Sequence, residues 1–145
     1  MPKISPFLWY DTQAEEAANL YTSVFPDAKI EMTSDFIGVF EIQGQRFYAL
    51  NGGPMYKFTE AFSLSVDCKT QEEVDRYWTK LTADGGQEGP CGWCKDKFGL
   101  SWQVTPSLLG QMLSDTDRKK AARVMEAMMK MKKLDIAALK RAYEG

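Results

Sequence analysis

The chain contains no histidine. Imidazole is the usual proton-transfer group near neutral pH and the commonest nitrogen ligand for metals. Its absence excludes a Ser-His-Asp triad and any His-ligated metal site. Cysteine is scarce: Cys68, Cys91 and Cys94 are an odd number and make no disulfide framework. No apolar run approaches the ~18 residues of a membrane-spanning helix. Met1 to Tyr10 lacks the apolar core of a secretion signal, so a cytoplasmic location with free thiols is expected. A large excess of one charge is also missing. With 18 Lys+Arg against 20 Asp+Glu the net charge is -2, and no global basic field draws in nucleic acid. The charge is uneven, however. Residues 115–145 carry nine basic and five acidic side chains, a basic tail on an acidic body.

What is present is ordinary globular material: 145 residues, 44% hydrophobic and 26% charged. Within it the chain repeats itself. Ser5-Pro6-Phe7-Leu8-Trp9-Tyr10-Asp11 is matched by Ala61-Phe62-Ser63-Leu64-Ser65-Val66-Asp67. Each reads as a strand ending at an Asp. A capping box follows each, Thr12 with Glu15 and Thr70 with Glu73. A helical stripe comes next: Ala17, Leu20, Tyr21 and Val24 in the first copy, Val74, Tyr77, Trp78 and Leu81 in the second. Pro26-Asp27 and Gly85-Gly86 close these helices. Strand signals follow at Lys29–Ser34, Ile37–Gln43 and Arg46–Leu50, and again at Gln87–Cys94 and Leu100–Thr105. The expected fold class is α+β: two tandem βαβββ modules forming a cupped mixed sheet, plus C-terminal helices. The expected boundaries are module one at 1–51, a linker at 52–60, module two at 61–106 and a helical tail at 107–145, in one domain. In the tail a helix starts at Pro106, Asp115 or Thr116 caps another, and Asp135 caps the last. Ala121, Val124, Met125, Met128 and Met131 form one stripe of the middle helix.

The duplicated pattern resembles the vicinal oxygen chelate superfamily of glyoxalases, extradiol dioxygenases and bleomycin-resistance proteins. Particular strings resemble its PhnB-like branch: Pro6–Asp11, Phe58–Leu64, Gly92-Trp93 followed by Lys95-Asp96-Lys97-Phe98-Gly99-Leu100-Ser101-Trp102-Gln103, and Met131–Asp135. Members of this branch often carry the name 3-demethylubiquinone-9 3-methyltransferase. The resemblance implies helices outside and a ligand cavity inside the sheet. Period-2 alternation agrees. Leu100, Trp102 and Val104 share one face, while Ser101, Gln103 and Thr105 share the other. The same alternation also suits a half-solvated sheet.

The superfamily's metal ligands, transferred by aligning the modules, fall on Ser5, Ala61, Ala49 and Gln103. Two alanines and two neutral oxygens do not suit a divalent cation, so neither metal nor other cofactor is expected. A carboxylate site at Glu41 or Glu60 is the remaining alternative. The expectation is a PhnB-like protein that binds a small organic ligand in a metal-free cavity. Phe7 and Trp9 would supply stacking surface, Ser63, Ser65 and Gln103 hydrogen bonds, and Asn51 would stand at the mouth. A homodimer is expected, with the tail supplying apolar surface. The alternative is an enzyme: a lyase or dioxygenase with an unusual metal, or a methyltransferase. For the last, a doubly wound fold needs a glycine-rich loop after its first strand, and residues 4–12 contain no Gly.

Cys91-Gly92-Trp93-Cys94 is a CxxC. Set in a strand, residues three apart point to opposite faces, which opposes a dithiol switch. The tail lysines, interleaved with Asp117 and Glu126, read as a solvated face, and nucleic acid is not expected as a partner. Tyr56 and Phe58 of the linker form either a cavity wall or plain packing.

Overall fold

The computed structural model describes residues 3–145, so the first two residues of the expected first module lie outside the described residues. The chain divides into two compact units, residues 1–58 and 59–145. Each contains one βαβββ module.

In the first unit the order is β1 (Phe7–Tyr10), α1 (Ala14–Val24), β2 (Ala28–Thr33), β3 (Ile37–Ile42) and β4 (Gln45–Asn51). The sheet order is β1-β4-β3-β2, with β1 parallel to β4 and the other pairs antiparallel. One face packs on α1. Leu8, Tyr10, Phe40, Phe47 and Ala49 are buried there with Ala14, Ala17, Ala18, Tyr21 and Val24. The helical stripe therefore runs through Ala18 rather than the expected Leu20, which is only half-buried. Small residues let the helix lie close: an added Cβ on Gly38 would already touch the Ala18 methyl at 3.6 Å. Phe40 and Phe47 stack at 5.1 Å, and the hydroxyls of Tyr10 and Tyr21 share a hydrogen bond of 2.9 Å.

The expected capping box of α1 does not form. Gln13 occupies the cap position without a side-chain bond. Instead the Asn51 carboxamide oxygen, at the end of β4, accepts the Ala14 N–H at 2.8 Å. Its amide nitrogen donates to the Asp35 carbonyl at 2.9 Å. One side chain thus satisfies an orphan helix donor and pins the β2–β3 turn.

In the second unit the order is β5 (Ser63–Cys68), α2 (Gln71–Thr82), β6 (Gln87–Glu88), β7 (Trp93–Lys95), β8 (Ser101–Pro106), α3 (Ser107–Leu113), α4 (Arg118–Met129) and α5 (Ile136–Glu144). The sheet order is β5-β8-β7-β6, again with a parallel first pair. Here the Thr70 cap forms as expected, with the return bond of Glu73 shifted one residue from the cap position. Thr70 Oγ1 accepts from Glu73 N, and Glu73 reaches back to Lys69 N. Val74, Tyr77, Trp78 and Leu81 are all buried, each such side chain contributing ~1.5–3 kcal/mol. They face the side of the sheet that carries Leu100, Trp102 and Val104.

The single strand expected over Gln87–Cys94 is broken. Gly89–Gly92 turns, with positive φ at Cys91 and Gly92. A Cβ on Gly92 would meet Leu134 and the Val104 carbonyl at 2.9 Å, so only glycine fits. The turn's amides bond the tail: Cys91 N to Met131 O and Gly92 N to Lys132 O, both 2.8 Å. Gln71 completes the stitching, donating to Leu134 O and accepting from Ile136 N. The tail is thus built into the second unit around Leu109, Met112, Val124, Leu134 and Leu139. Its middle helix is capped by Asp117, not by Asp115 or Thr116, and Asp135 caps α5 as expected. Met125, placed on the buried stripe by periodicity, is exposed.

Candidate ligand-binding faces

In each unit the sheet face away from the helix carries the candidate residues. In the first unit the ladder aligns Phe7, Tyr48 and Val39, then Trp9, Leu50 and Ile37, on this open face. Phe7 is 58% exposed and stacks on Tyr48 at 5.4 Å with 18° between the planes. The pair borders a cavity of about 550 Å³ that is also lined by Lys3, Glu31, Glu41 and Arg46. Arg46 pairs with Glu31 at 3.0 Å, which raises its already high pKa and keeps it a fixed cation. Exposed aromatic surface in a concavity is what an aromatic small molecule requires, while Glu31 and Glu41 balance the cations Lys3 and Arg46.

Trp9 is more constrained. Its indole N–H donates to the Gly53 carbonyl at 2.9 Å, and Tyr56 meets its ring edge-on at 5.0 Å. Phe58 packs edge-on against Tyr10 at 5.3 Å. Both linker aromatics therefore pack on residues of β1. Asn51, expected at a cavity mouth, spends its side chain on the two backbone bonds described above.

In the second unit the register brings Ser63, Ser101 and Lys95 into one row and Ser65, Gln103 and Trp93 into the next. The expected residues Ser63, Ser65 and Gln103 do share one face. Gln103 Nε2 donates to Ser63 Oγ at 3.0 Å. The turn before β8 is held by Asp96, whose buried carboxylate accepts from Phe98 N, Leu100 N and the Trp102 indole at 2.9–3.1 Å. This explains the Asp96–Trp102 string in physical terms. The Asp fixes the hairpin, and the hairpin sets which way Ser101 and Gln103 point. Sequence reading missed Ser101 and Lys95 as lining residues. The alternation had placed Ser101 on the polar face, but not its neighbour across the ladder.

The profile described as 3-demethylubiquinone-9 3-methyltransferase matches residues 2–105. A PhnB protein from Bacillus cereus is 32% identical over 73% of this chain and all of that one, with a TM-score of 0.66. The chain belongs to this PhnB-like family. Its fold is also that of a glyoxalase/bleomycin resistance protein from Albidiferax ferrireducens (14% identity, 68% and 93% of the two chains, TM-score 0.51). The fosfomycin resistance protein FosX of Listeria monocytogenes, complexed with Mn(II) and sulfate, is similar in the same way (16% identity, 70% and 86% of the two chains, TM-score 0.53). No curated protein matches.

The metal site that the sequence resemblance implies does not find its ligands in this chain. The ladder corrects one mapped position. Ser65 pairs with Gln103, and Trp9, its counterpart in the repeat, pairs with Leu50. Leu50, not Ala49, is therefore the first-module equivalent, and Ala49 lies buried on the helix face. The four positions read Ser5, Leu50, Ala61 and Gln103, with no carboxylate, imidazole or thiolate among them. This donor set does not fit a divalent cation. The alternative carboxylates are engaged: Glu41 pairs with Lys29 at 3.6 Å, and Glu60 pairs with Lys95.

The remaining motifs are structural in this geometry. Cys91 lies in the turn rather than in a strand, its sulfur 3.6 Å from that of Met129. Cys94 is buried, and burial pushes its thiol up to about 12, opposite to what a reactive thiolate needs. Several basic tail side chains are used internally. Arg123 donates to the carbonyls of Ala142 and Tyr143, Lys120 lies over the Tyr143 ring, and Lys133 pairs with Asp75 at 2.9 Å.

Proposed function

We propose that this PhnB-like protein binds a small, partly aromatic organic molecule on an open sheet face, without a metal. The observation that carries the reading is the exposed Phe7–Tyr48 stack at the wall of the 550 Å³ cavity. That volume lies inside the usual range for small-molecule sites, about 300–1,000 Å³. A large aromatic left facing solvent in a preformed concavity is a stacking platform. Ser63, Ser65 and Gln103 supply hydrogen-bonding groups on the corresponding face of the second module. Trp9, on the same open face, is held by its bond to the linker, and Asn51 fixes α1 and the β2–β3 turn. We also read the protein as a homodimer. The exposed Met125 and Met129 of α4 support that reading, and sedimentation at micromolar concentration tests it.

The binding test is a saturation-transfer NMR screen of aromatic acids, phenols and aliphatic controls. Aromatic compounds are expected to bind the wild type. Phe7→Ala is expected to lose at least tenfold in affinity while its melting temperature holds, because the ring is exposed. Equal binding of the aliphatic controls, or an unchanged affinity in Phe7→Ala, would sink the reading.

A further inference from the structure

The second unit has a cavity of its own, about 250 Å³, on the open face beside β7 and β8. Glu60, Gln87, Trp93, Lys95 and Ser101 line it. Ser101 is 1% exposed, and its hydroxyl has no hydrogen-bond partner among the described residues. Buried polar groups in folded proteins are nearly always satisfied, and an unpaired one calls for a partner that the chain does not supply. The ladder sets Ser101 directly opposite Lys95 on the same face. The Lys95 ammonium is not free. It is taken by the Glu60 carboxylate, whose side chain is 63% exposed on the turn before β5. Lys95 holds that carboxyl below the ordinary carboxylate range. Exposed pairs of this kind contribute little and exchange readily. Trp93 adds an aromatic wall, half-buried and one row further along.

Ammonium, unpaired hydroxyl and indole therefore converge on one small cavity, and a carboxylate of the chain itself already sits on the ammonium. We propose that this cavity binds a small single-ring organic carboxylate and that Glu60 is its built-in competitor. The incoming carboxylate takes the place of Glu60 on Lys95 and accepts the Ser101 hydroxyl, while its ring lies along Trp93. Phosphate and other dianions are disfavoured. The cavity offers one cation, and Glu60 and Glu88 both border it. All of the residues named here belong to the second unit, and Phe7 and Tyr48 belong to the first.

The experiment is a titration of the full ¹⁵N-labelled chain with benzoate and with benzamide, its neutral isostere. The Trp93 indole N–H, assigned with Trp93→Phe, is the reporter. Benzoate is expected to shift it saturably and benzamide to leave it in place. Glu60→Gln, which removes the competitor, is expected to tighten benzoate about two- to fivefold. Ser101→Ala is expected to weaken it about tenfold while the melting temperature stays level or rises, since the lost hydroxyl was unsatisfied. The Trp93 indole reads this cavity in the wild-type chain, and Phe7→Ala is kept for the aromatic screen, so failure of the first site and of this one are read separately. The proposal is overturned by equal shifts from benzamide, by weaker benzoate binding in Glu60→Gln, by a lower melting temperature in Ser101→Ala, or by no benzoate shift in either wild type or Glu60→Gln at tens of millimolar.

Discussion

Replacing Gly52 by alanine tests the packing that holds β1 and the linker together. A Cβ at this position would lie 2.4–2.6 Å from three atoms of the Trp9 ring. No Cβ tolerates such approach, so the ring must move. It cannot move freely, because its N–H is bonded to Gly53 O and Tyr56 closes its edge. Overpacking of this kind costs about 1–3 kcal/mol, and losing the indole bond adds about 1 kcal/mol. The expected total is about 2–4 kcal/mol, a fall in Tm of roughly 6–12 °C at about 3 °C per kcal/mol for a chain of this size. Thermal unfolding followed by circular dichroism measures it, and a double-mutant cycle isolates the cause. In a Trp9→Ala background Gly52→Ala should cost under about 0.5 kcal/mol, because the clash has gone. Gly44→Ala, in the β3–β4 turn, is the control. Its Cβ meets nothing within 4 Å, but its φ of 83° strains any other residue. That cost, about 1–2 kcal/mol, should be the same with or without Trp9. If Gly52→Ala costs the same in both backgrounds, the clash is not the reason and the reasoning fails.

Other outcomes follow from the tail and the thiols. The Tyr143 hydroxyl donates to Asp115, which holds the Asp115 carboxyl below its ordinary 3.8 and the Tyr143 hydroxyl above its ordinary 10.0. A depressed acid stabilises the fold above its unfolded pKa and loses this as pH falls through the folded one. A raised phenol stabilises below its unfolded pKa and loses this as pH rises through the folded one. The advantage of wild type over Tyr143→Phe should therefore be flat between about pH 5 and 9 and shrink outside that window, as melting temperatures across pH would show. A pH-independent difference would remove the pair from the account. Burial pushes Cys68 to about 11 and Cys94 to about 12. Iodoacetamide at pH 8 should thus label Cys91 alone in the native chain and all three cysteines after unfolding, read by intact mass. Early labelling of Cys94 would refute its burial.

How much of this was legible in the sequence depended on whether the cause was local. The stripe of α2 and its Thr70–Glu73 cap were, because periodicity and capping act within four residues. The cap of α1 was not. Thr12 and Glu15 carry the right spacing, but the bond is made by Asn51, 37 residues away, and only the parallel β1–β4 pairing brings it there. The break at Gly89–Gly92 has its local signal in Gly89-Pro90 and Gly92, residues that punctuate a strand. The shift from Ala49 to Leu50 is a one-residue slip, which in a strand reverses the face. For the candidate site, alternation did gather Ser63, Ser65 and Gln103. It could not show the unpaired Ser101 hydroxyl or the Glu60–Lys95 pair, since both depend on the register of β7 and on a turn outside any strand.

The central claim is a ligand site that works without a metal, and native mass spectrometry of the purified chain, before and after a chelator wash, tests it most directly. The account predicts no chelator-sensitive mass, and a saturable organic adduct when an aromatic acid is supplied. One chelator-sensitive divalent ion per chain would contradict it and return the lyase and dioxygenase readings to the front.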